Sequence, residues 1–94
     1  MFEFPLLEGY TIYTKSKCGY CTKVKEILPE DSHVINCDIY LKERRDAFLE
    51  MIDHASGQKP RTFPMVFLDG SFIGGHTETV KHLEELAAFI ETDF

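Results

Sequence analysis

Cys18 and Cys21 stand at the junction between a strand-like run and a helix-like run, with two residues between them, and few folds can use that arrangement. The segment before them, Tyr10-Thr11-Ile12-Tyr13-Thr14, is β-branched and aromatic throughout, the composition of a strand. The segment after them carries Val24, Ile27 and Leu28 at helical spacing from Tyr20 and Cys21, and Pro29 ends the pattern. A strand therefore delivers both thiols to the start of a helix. There, unpaired amide donors and the positive end of the helix dipole favour thiolate over thiol at Cys18, with Lys15 and Lys17 close by in sequence. Cys21 falls one turn along on roughly the same face, within reach of a small disulfide ring. The pattern suits reversible oxidation, with Cys18 as attacking nucleophile and the more buried Cys21 as resolving thiol.

The 94 residues make a single domain, 1–94, and a hydrophobic fraction of 44% with eight Phe and four Tyr is enough to bury a core. A net charge of −6 argues against a surface for nucleic acid or an anionic membrane over the whole molecule. The charge is uneven. Residues 1–25 hold four lysines against two glutamates, a net of +2, while residues 26–94 hold six basic and fourteen acidic residues, a net of −8. No apolar run approaches the about 18 residues of a membrane span, and Met1-Phe2-Glu3-Phe4-Pro5 lacks the basic start and apolar run of a secretory signal. A soluble, cytoplasmic protein is expected, since a Cys-x-x-Cys pair in a reducing compartment is more often catalytic or metal-binding than structural.

Residues 1–9, with Pro5 and Gly9, read as a lead-in that packs Phe2, Phe4 or Leu6 on the body. His33 to Ile39, Val/Ile-rich with Cys37 inside it, reads as a second strand. Lys42 to Ser56 places Phe48, Leu49, Ile52 and Ala55 on one helical face, and Gly57 follows where a helix would stop. Thr62-Phe63-Pro64 leads into Met65-Val66-Phe67-Leu68, and Asp69-Gly70 before Phe72-Ile73 signals a hairpin. After Gly74-Gly75, a third helix is expected with Thr77 as N-cap, Glu78 in its first turn, and Val80, Leu83, Ala87 and Ile90 along one face. The expected fold is α/β: a small four-stranded mixed sheet in the order β-α-β-α-β-β-α, flanked by three helices.

Half of a zinc site has the same cysteine spacing. Cys18-x2-Cys21-x11-His33-x3-Cys37 is numerically close to a Cys2HisCys zinc module, although His33 and Cys37 lie in a β-branched run and residues 41–94 have an α/β pattern of their own. Cys37 otherwise reads as a small buried hydrophobe. His54 and His82 read as solvent-facing, the charged run 42–46 reads as a solvated helix face, and His76 is expected to border the substrate groove, where it could tune substrate binding.

Four stretches in order resemble the dithiol glutaredoxins: Lys15-x-x-Cys18-Gly19-Tyr20-Cys21, Thr62-Phe63-Pro64, the Asp69-Gly70 hairpin, and Gly74-Gly75 leading into Thr77-Glu78. The resemblance implies a thioredoxin-like fold and glutathione-dependent reduction of protein disulfides and glutathione mixed disulfides. It implies that Lys15 meets the glycine carboxylate of glutathione, that Tyr20 lines the groove, and that Arg61 joins the same clamp. It further implies a cis Pro64, with Phe63 pairing its backbone with the cysteinyl part, and contacts from Gly75, Thr77 and Glu78 to the γ-glutamyl end. The implied partners are disulfide-containing or glutathionylated proteins, ribonucleotide reductase among them, and the expected state is a monomer. A thioredoxin would carry Trp-Cys-Gly-Pro-Cys, and this chain has no Trp. Three positions depart from the family's usual pattern: Gly19 stands for proline, Phe63 for valine and Glu78 for aspartate. Small residues at position 19 accompany [2Fe-2S] cluster binding by glutathione-linked dimers in some members, so cluster binding is the alternative function.

Overall fold

In a computed structural model of the chain, residues 2–91 are described, with side chains described through residue 88. The elements are β1 (Tyr10–Thr14), α1 (Gly19–Ile27), β2 (His33–Asn36), α2 (Asp38–Glu43), α3 (Arg45–Ser56), β3 (Met65–Leu68), β4 (Ser71–Gly74) and α4 (His76–Glu91). The sheet runs in the order β2-β1-β3-β4. β1 is parallel to β2, with Thr11 beside His33 and Thr14 beside Asn36, and antiparallel to β3, with Tyr13 beside Met65. The mixed four-stranded sheet is the one expected.

Strand alternation divides the core between the two faces of the sheet. On one face Tyr13, Ile35, Met65 and Phe67 pack with Phe48, Met51 and Ile52 of α3 and with Cys37. On the other, Ile12 and Val66 pack with Val24 of α1 and Leu28 just beyond it, and Leu83 of α4 packs against them. Phe48 is fully buried, with the rings of Phe2, Tyr13 and Tyr40 within 6.1 Å of its centroid. Truncating such a side chain to alanine costs about 3–5 kcal/mol. Of the lead-in residues Phe2 packs on Tyr40 and Phe48, whereas Phe4 and Leu6 stay exposed. The Tyr13 hydroxyl donates to the Glu3 carbonyl at 2.7 Å and fastens that arm to the sheet.

Among the described residues four helices flank the sheet, not three. The expected strand to Ile39 stops at Asn36, whose side-chain oxygen accepts the Asp38 N–H at 2.9 Å and turns the chain into α2. Val34 and Ile39, which suggested one strand, are both exposed. The helix expected from Lys42 begins at Arg45, because Arg44 leaves helical geometry at φ −143°, ψ 45° and separates α2 from α3. Gly57 ends α3 in the left-handed region at φ 70°, as a C-terminal glycine does. The Asp69-Gly70 turn has both residues at positive φ, 52° and 83°, the geometry of a two-residue hairpin loop.

The last helix starts two residues earlier than expected. Thr79 N–H donates to the Gly75 carbonyl at 3.0 Å, so Gly75 occupies the capping position and Thr77 lies inside the first turn. Along α4 the buried position is Thr79, with Leu83 half-buried and Ala87 exposed; the side chain of Ile90 lies outside the described residues. His82 is not solvent-facing: its Nε2 hydrogen-bonds the Tyr10 hydroxyl at 3.0 Å and ties α4 to β1. No helix among the described residues is long and apolar enough to cross a membrane.

Candidate active site

β1 ends at Thr14 and α1 begins at Gly19, so the thiols sit where the parallel part of the sheet hands over to a helix. The connecting loop is fixed from the other side. Ser16 donates its backbone N–H to Asp38 at 2.9 Å and its hydroxyl to the same carboxylate, which holds the Asp38 acid below the usual carboxylate range. Lys17 then adopts φ 56°, a left-handed conformation uncommon outside glycine. Sequence reasoning missed Asp38 because it fell inside an expected strand. Its signal is the Asn36-x-Asp38 turn.

Cys18 is the N-cap of α1. The Cys21 N–H donates to its Sγ at 3.3 Å, and the Cys18 thiol faces the Phe63 carbonyl at 3.6 Å. One of the amide donors left open at the helix start thus points at the Cys18 sulfur. Cys21 is buried, and burial first, then the neighbouring Cys18 sulfur, pushes its thiol up to about 11; the Lys15 backbone and the Lys25 ammonium act the other way. The two thiols are chemically unequal, one half-buried at a helix start and one buried and protonated. Cys37 is fully buried, its thiol pushed up to about 12 by desolvation and donated to the Ile35 carbonyl at 3.6 Å.

Beside Cys18 lies a groove of about 370 Å³, in the range of small-molecule sites. Six residues expected at the site line it: Tyr20, Phe63, Pro64, Gly75, Thr77 and Glu78. Thr62 and His76 line it too, and the His76 and Tyr20 rings meet at 5.0 Å between centroids. The Phe63-Pro64 peptide is cis. Lys15 is near, its ammonium 5.9 Å from the centroid of the Phe63 ring.

Arg61 is placed differently from the expectation. It does not line the groove; its guanidinium forks onto Asp53 of α3 with contacts of 2.7 and 2.9 Å, holding that carboxyl low and raising the guanidinium's own pKa. Glu78 has a structural task as well. Its Oε1 accepts the Gly75 N–H at 2.8 Å, the reach-back half of a capping box, at a position whose capping residue has no side chain. Gly74 permits this approach: at φ 136°, a Cβ there would stand 2.6 Å from the Glu78 Cβ.

The zinc set is not brought together. His33 pairs with Glu3 at 2.8 Å and lies beside Thr11, at the far end of β1 from the Cys18 loop. No group of three potential metal ligands gathers among the described residues.

The glutaredoxin family profile matches residues 10–73, which span β1 through most of β4. The chain belongs to the glutaredoxin family. It is 34% identical over 73 residues to human mitochondrial Glutaredoxin-2, covering 72% of this chain and 41% of that protein. It is 37% identical over 83 residues to Glutaredoxin-C4 of Arabidopsis thaliana, covering 84% and 59% respectively. The chain thus spans about two-fifths to three-fifths of the length of these curated relatives. Among solved structures, glutaredoxin 1 from Francisella tularensis complexed with cacodylate superposes with a TM-score of 0.70 at 25% identity, covering 85% of this chain and 96% of that one. A buckwheat glutaredoxin–glutathione complex superposes at 0.66 and 26% identity, covering 85% and 74%. The thioredoxin-like architecture expected from the resemblance is the one these glutaredoxins share with this chain.

Proposed function

We propose that this chain is a glutathione-dependent thiol-disulfide oxidoreductase acting on glutathione mixed disulfides and protein disulfides. The observation that carries the reading is the Cys18 sulfur at the start of α1, receiving the Cys21 N–H and standing against the Phe63 carbonyl at the edge of the groove. A solved glutaredoxin of the same fold is complexed with glutathione, which supports that tripeptide as the groove's occupant. In this reading Lys15 meets one glutathione carboxylate, Phe63 and Pro64 the cysteinyl part, and Gly75, Thr77 and Glu78 the γ-glutamyl end. The first turn of α4 offers amide donors to an anion there. Arg61 contributes through its hold on Asp53, which braces α3 against the segment before Phe63.

The chemistry follows from the inequality of the thiols. The Cys18 thiolate attacks the glutathionyl sulfur of a protein mixed disulfide; a Cys18-glutathione disulfide forms and the protein thiolate leaves and takes a proton. A second glutathione thiolate attacks the glutathionyl sulfur, releasing oxidised glutathione and restoring Cys18. With a protein disulfide, Cys18 forms a mixed disulfide with the target. Cys21 then gives up its proton, attacks the Cys18 sulfur and releases the reduced target, and two glutathione molecules reduce the Cys18–Cys21 disulfide. While Cys18 is a free sulfur it raises the Cys21 pKa; once Cys18 is in a disulfide that contribution is gone and Cys21 is more readily ionised. Such chemistry belongs to a reducing compartment, for which we propose the cytosol.

The alternative reading is a [2Fe-2S] cluster shared by two subunits: a cluster takes four ligands, usually thiolates, and Cys18 is the least buried of the three thiols, so each subunit would supply Cys18 and a bound glutathione the second ligand. The test of the reading is turnover of a glutathione mixed disulfide with glutathione, glutathione reductase and NADPH. Turnover that stops when glutathione is omitted is expected. No turnover, or equal turnover when thioredoxin reductase replaces glutathione, would contradict it.

A further inference from the structure

We propose that the Cys18 end of the molecule is a docking surface for acidic polypeptide segments, built from Lys17 and Lys23; this rests on Cys18 as a nucleophilic thiol but not on glutathione as its reductant. Three features converge on it. The stretch from Lys15 to Lys25 around the cysteines holds four lysines and no acidic residue, whereas residues 26–94 carry a net charge of −8, so positive charge is concentrated beside Cys18. Such asymmetry orients partners and raises association rates.

The second feature is the fixed placement of Lys17. The Ser16 backbone and hydroxyl are both tied to Asp38, and the next residue is a lysine in the left-handed region, directly before the nucleophile. Backbone outliers of this kind concentrate at functional sites because the surrounding structure must hold them. The third is the pairing of Lys23 with Tyr20. The Lys23 ammonium stands 5.2 Å from the centroid of the Tyr20 ring, and Tyr20 as a residue is 57% exposed. A stiff aromatic surface with a cation over it suits a partner chain bearing carboxylates.

Neither lysine lines the groove or is among the residues assigned above to glutathione, although Lys23 stands over the Tyr20 ring that does line it. Among the described residues the ion pairs are His33–Glu3 and Arg61–Asp53; neither involves Lys17 or Lys23. Their charge is therefore free for a partner whose reactive cysteine is flanked by Asp or Glu.

Three single-cysteine peptides test this, flanked by glutamates, by Gly and Ser, or by lysines, each activated as the 2-pyridyl disulfide. Attack by the Cys18 thiolate forms a Cys18–peptide disulfide and expels thiopyridone, which is read by stopped-flow absorbance without glutathione. The acidic peptide should react about tenfold or more faster than the basic one at low ionic strength. The ratio should fall to within about twofold near 1 M salt, where the screening length is about 3 Å. The double variant Lys17→Asn, Lys23→Gln should lose most of the ratio; asparagine tolerates the left-handed backbone at position 17. Equal rates for the two charged peptides, a ratio insensitive to salt, or a ratio kept in the double variant would overturn the docking surface. Because the neutral peptide reads the thiol alone, failure of glutathione turnover leaves this comparison intact, and no reaction with any peptide would overturn the thiol reading beneath it.

Discussion

Gly74 and Gly75 are neighbours with opposite tolerance, and replacing each by alanine tests how α4 is mounted over the groove. At position 74 the backbone φ of 136° is one that L side chains rarely adopt, and holding alanine in such a region costs about 1–3 kcal/mol. The new Cβ would also stand 2.6 Å from the Glu78 Cβ and 2.8 Å from its Oε1, so the first turn of α4 must shift and loosen the Glu78–Gly75 contact. Overpacking of that kind costs about 1–3 kcal/mol. Together roughly 2–6 kcal/mol is lost, a large share of the about 5–14 kcal/mol that holds a domain of this size. At about 4–8 °C per kcal/mol, Tm should fall by about 10 °C or more. At position 75 a Cβ would meet Glu78 Oε1 and the Pro64 carbonyl at 3.5 Å, ordinary contact distances. The remaining cost is alanine's weaker capping preference, about 1 kcal/mol or less. Thermal unfolding followed by circular dichroism decides the matter. A Gly74→Ala protein melting within about 2 °C of wild type, or a Gly75→Ala protein melting lower than it, would refute the reasoning.

Other consequences are as direct. Gly19 is the first residue of α1, a Cβ there meets nothing within 4 Å, and Cys18 before it sits at φ −122°, ψ 103°, a geometry compatible with a following proline. Gly19→Pro should therefore stabilise by about 0.4–1 kcal/mol and raise Tm by about 2–8 °C; a lowered Tm would show that the loop needs glycine's freedom. Glu78→Gln keeps an oxygen for the Gly75 N–H but removes the charge, so Tm should hold while the KM for glutathione rises a few-fold, as for an exposed charge pair of about 0.4–1 kcal/mol. An unchanged KM would assign Glu78 to capping alone. Burial raises the thiols of Cys21 and Cys37 from an ordinary 9.0 to about 11 and about 12, so the unfolded chain releases those protons first. Their contribution to stability is whole below about pH 9 and is lost as pH climbs through 9 towards 11 and 12. Urea unfolding midpoints under reductant should fall over that window, and less steeply in Cys37→Ala; a flat profile to pH 11 would contradict the burial argument.

Local chemistry decided what was legible in the sequence. Asp69-Gly70 demanded a two-residue hairpin, Gly57 stopped a helix, and the cysteine pair after a β-branched run located the thiols at a helix start. Six of the eight expected groove residues line one cleft because the family pattern fixes three stretches distant in sequence. The misreadings came where side chains satisfy backbone groups. Val34, Ile35 and Ile39 suggested an unbroken strand, yet the Asn36 side chain captures the Asp38 N–H and starts a helix. Thr77 looked like a cap, but the Glu78 carboxylate reaches Gly75. Arg61 was expected in the groove, and Asp53, eight residues earlier on α3, holds it instead. None of these pairings has a periodicity to betray it. The first two are local side-chain captures of a backbone N–H, and only the third depends on where two segments meet.

The central claim is that Cys18 carries the chemistry and Cys21 only resolves it, and paired serine variants test it most directly. Rates are measured with a glutathione mixed disulfide and with a protein disulfide, both with glutathione and its reductase. Cys18→Ser should abolish both activities. Cys21→Ser should keep mixed-disulfide reduction, since a second glutathione can resolve Cys18, and lose most protein-disulfide reduction. Mixed-disulfide activity retained in Cys18→Ser and lost in Cys21→Ser would contradict the account.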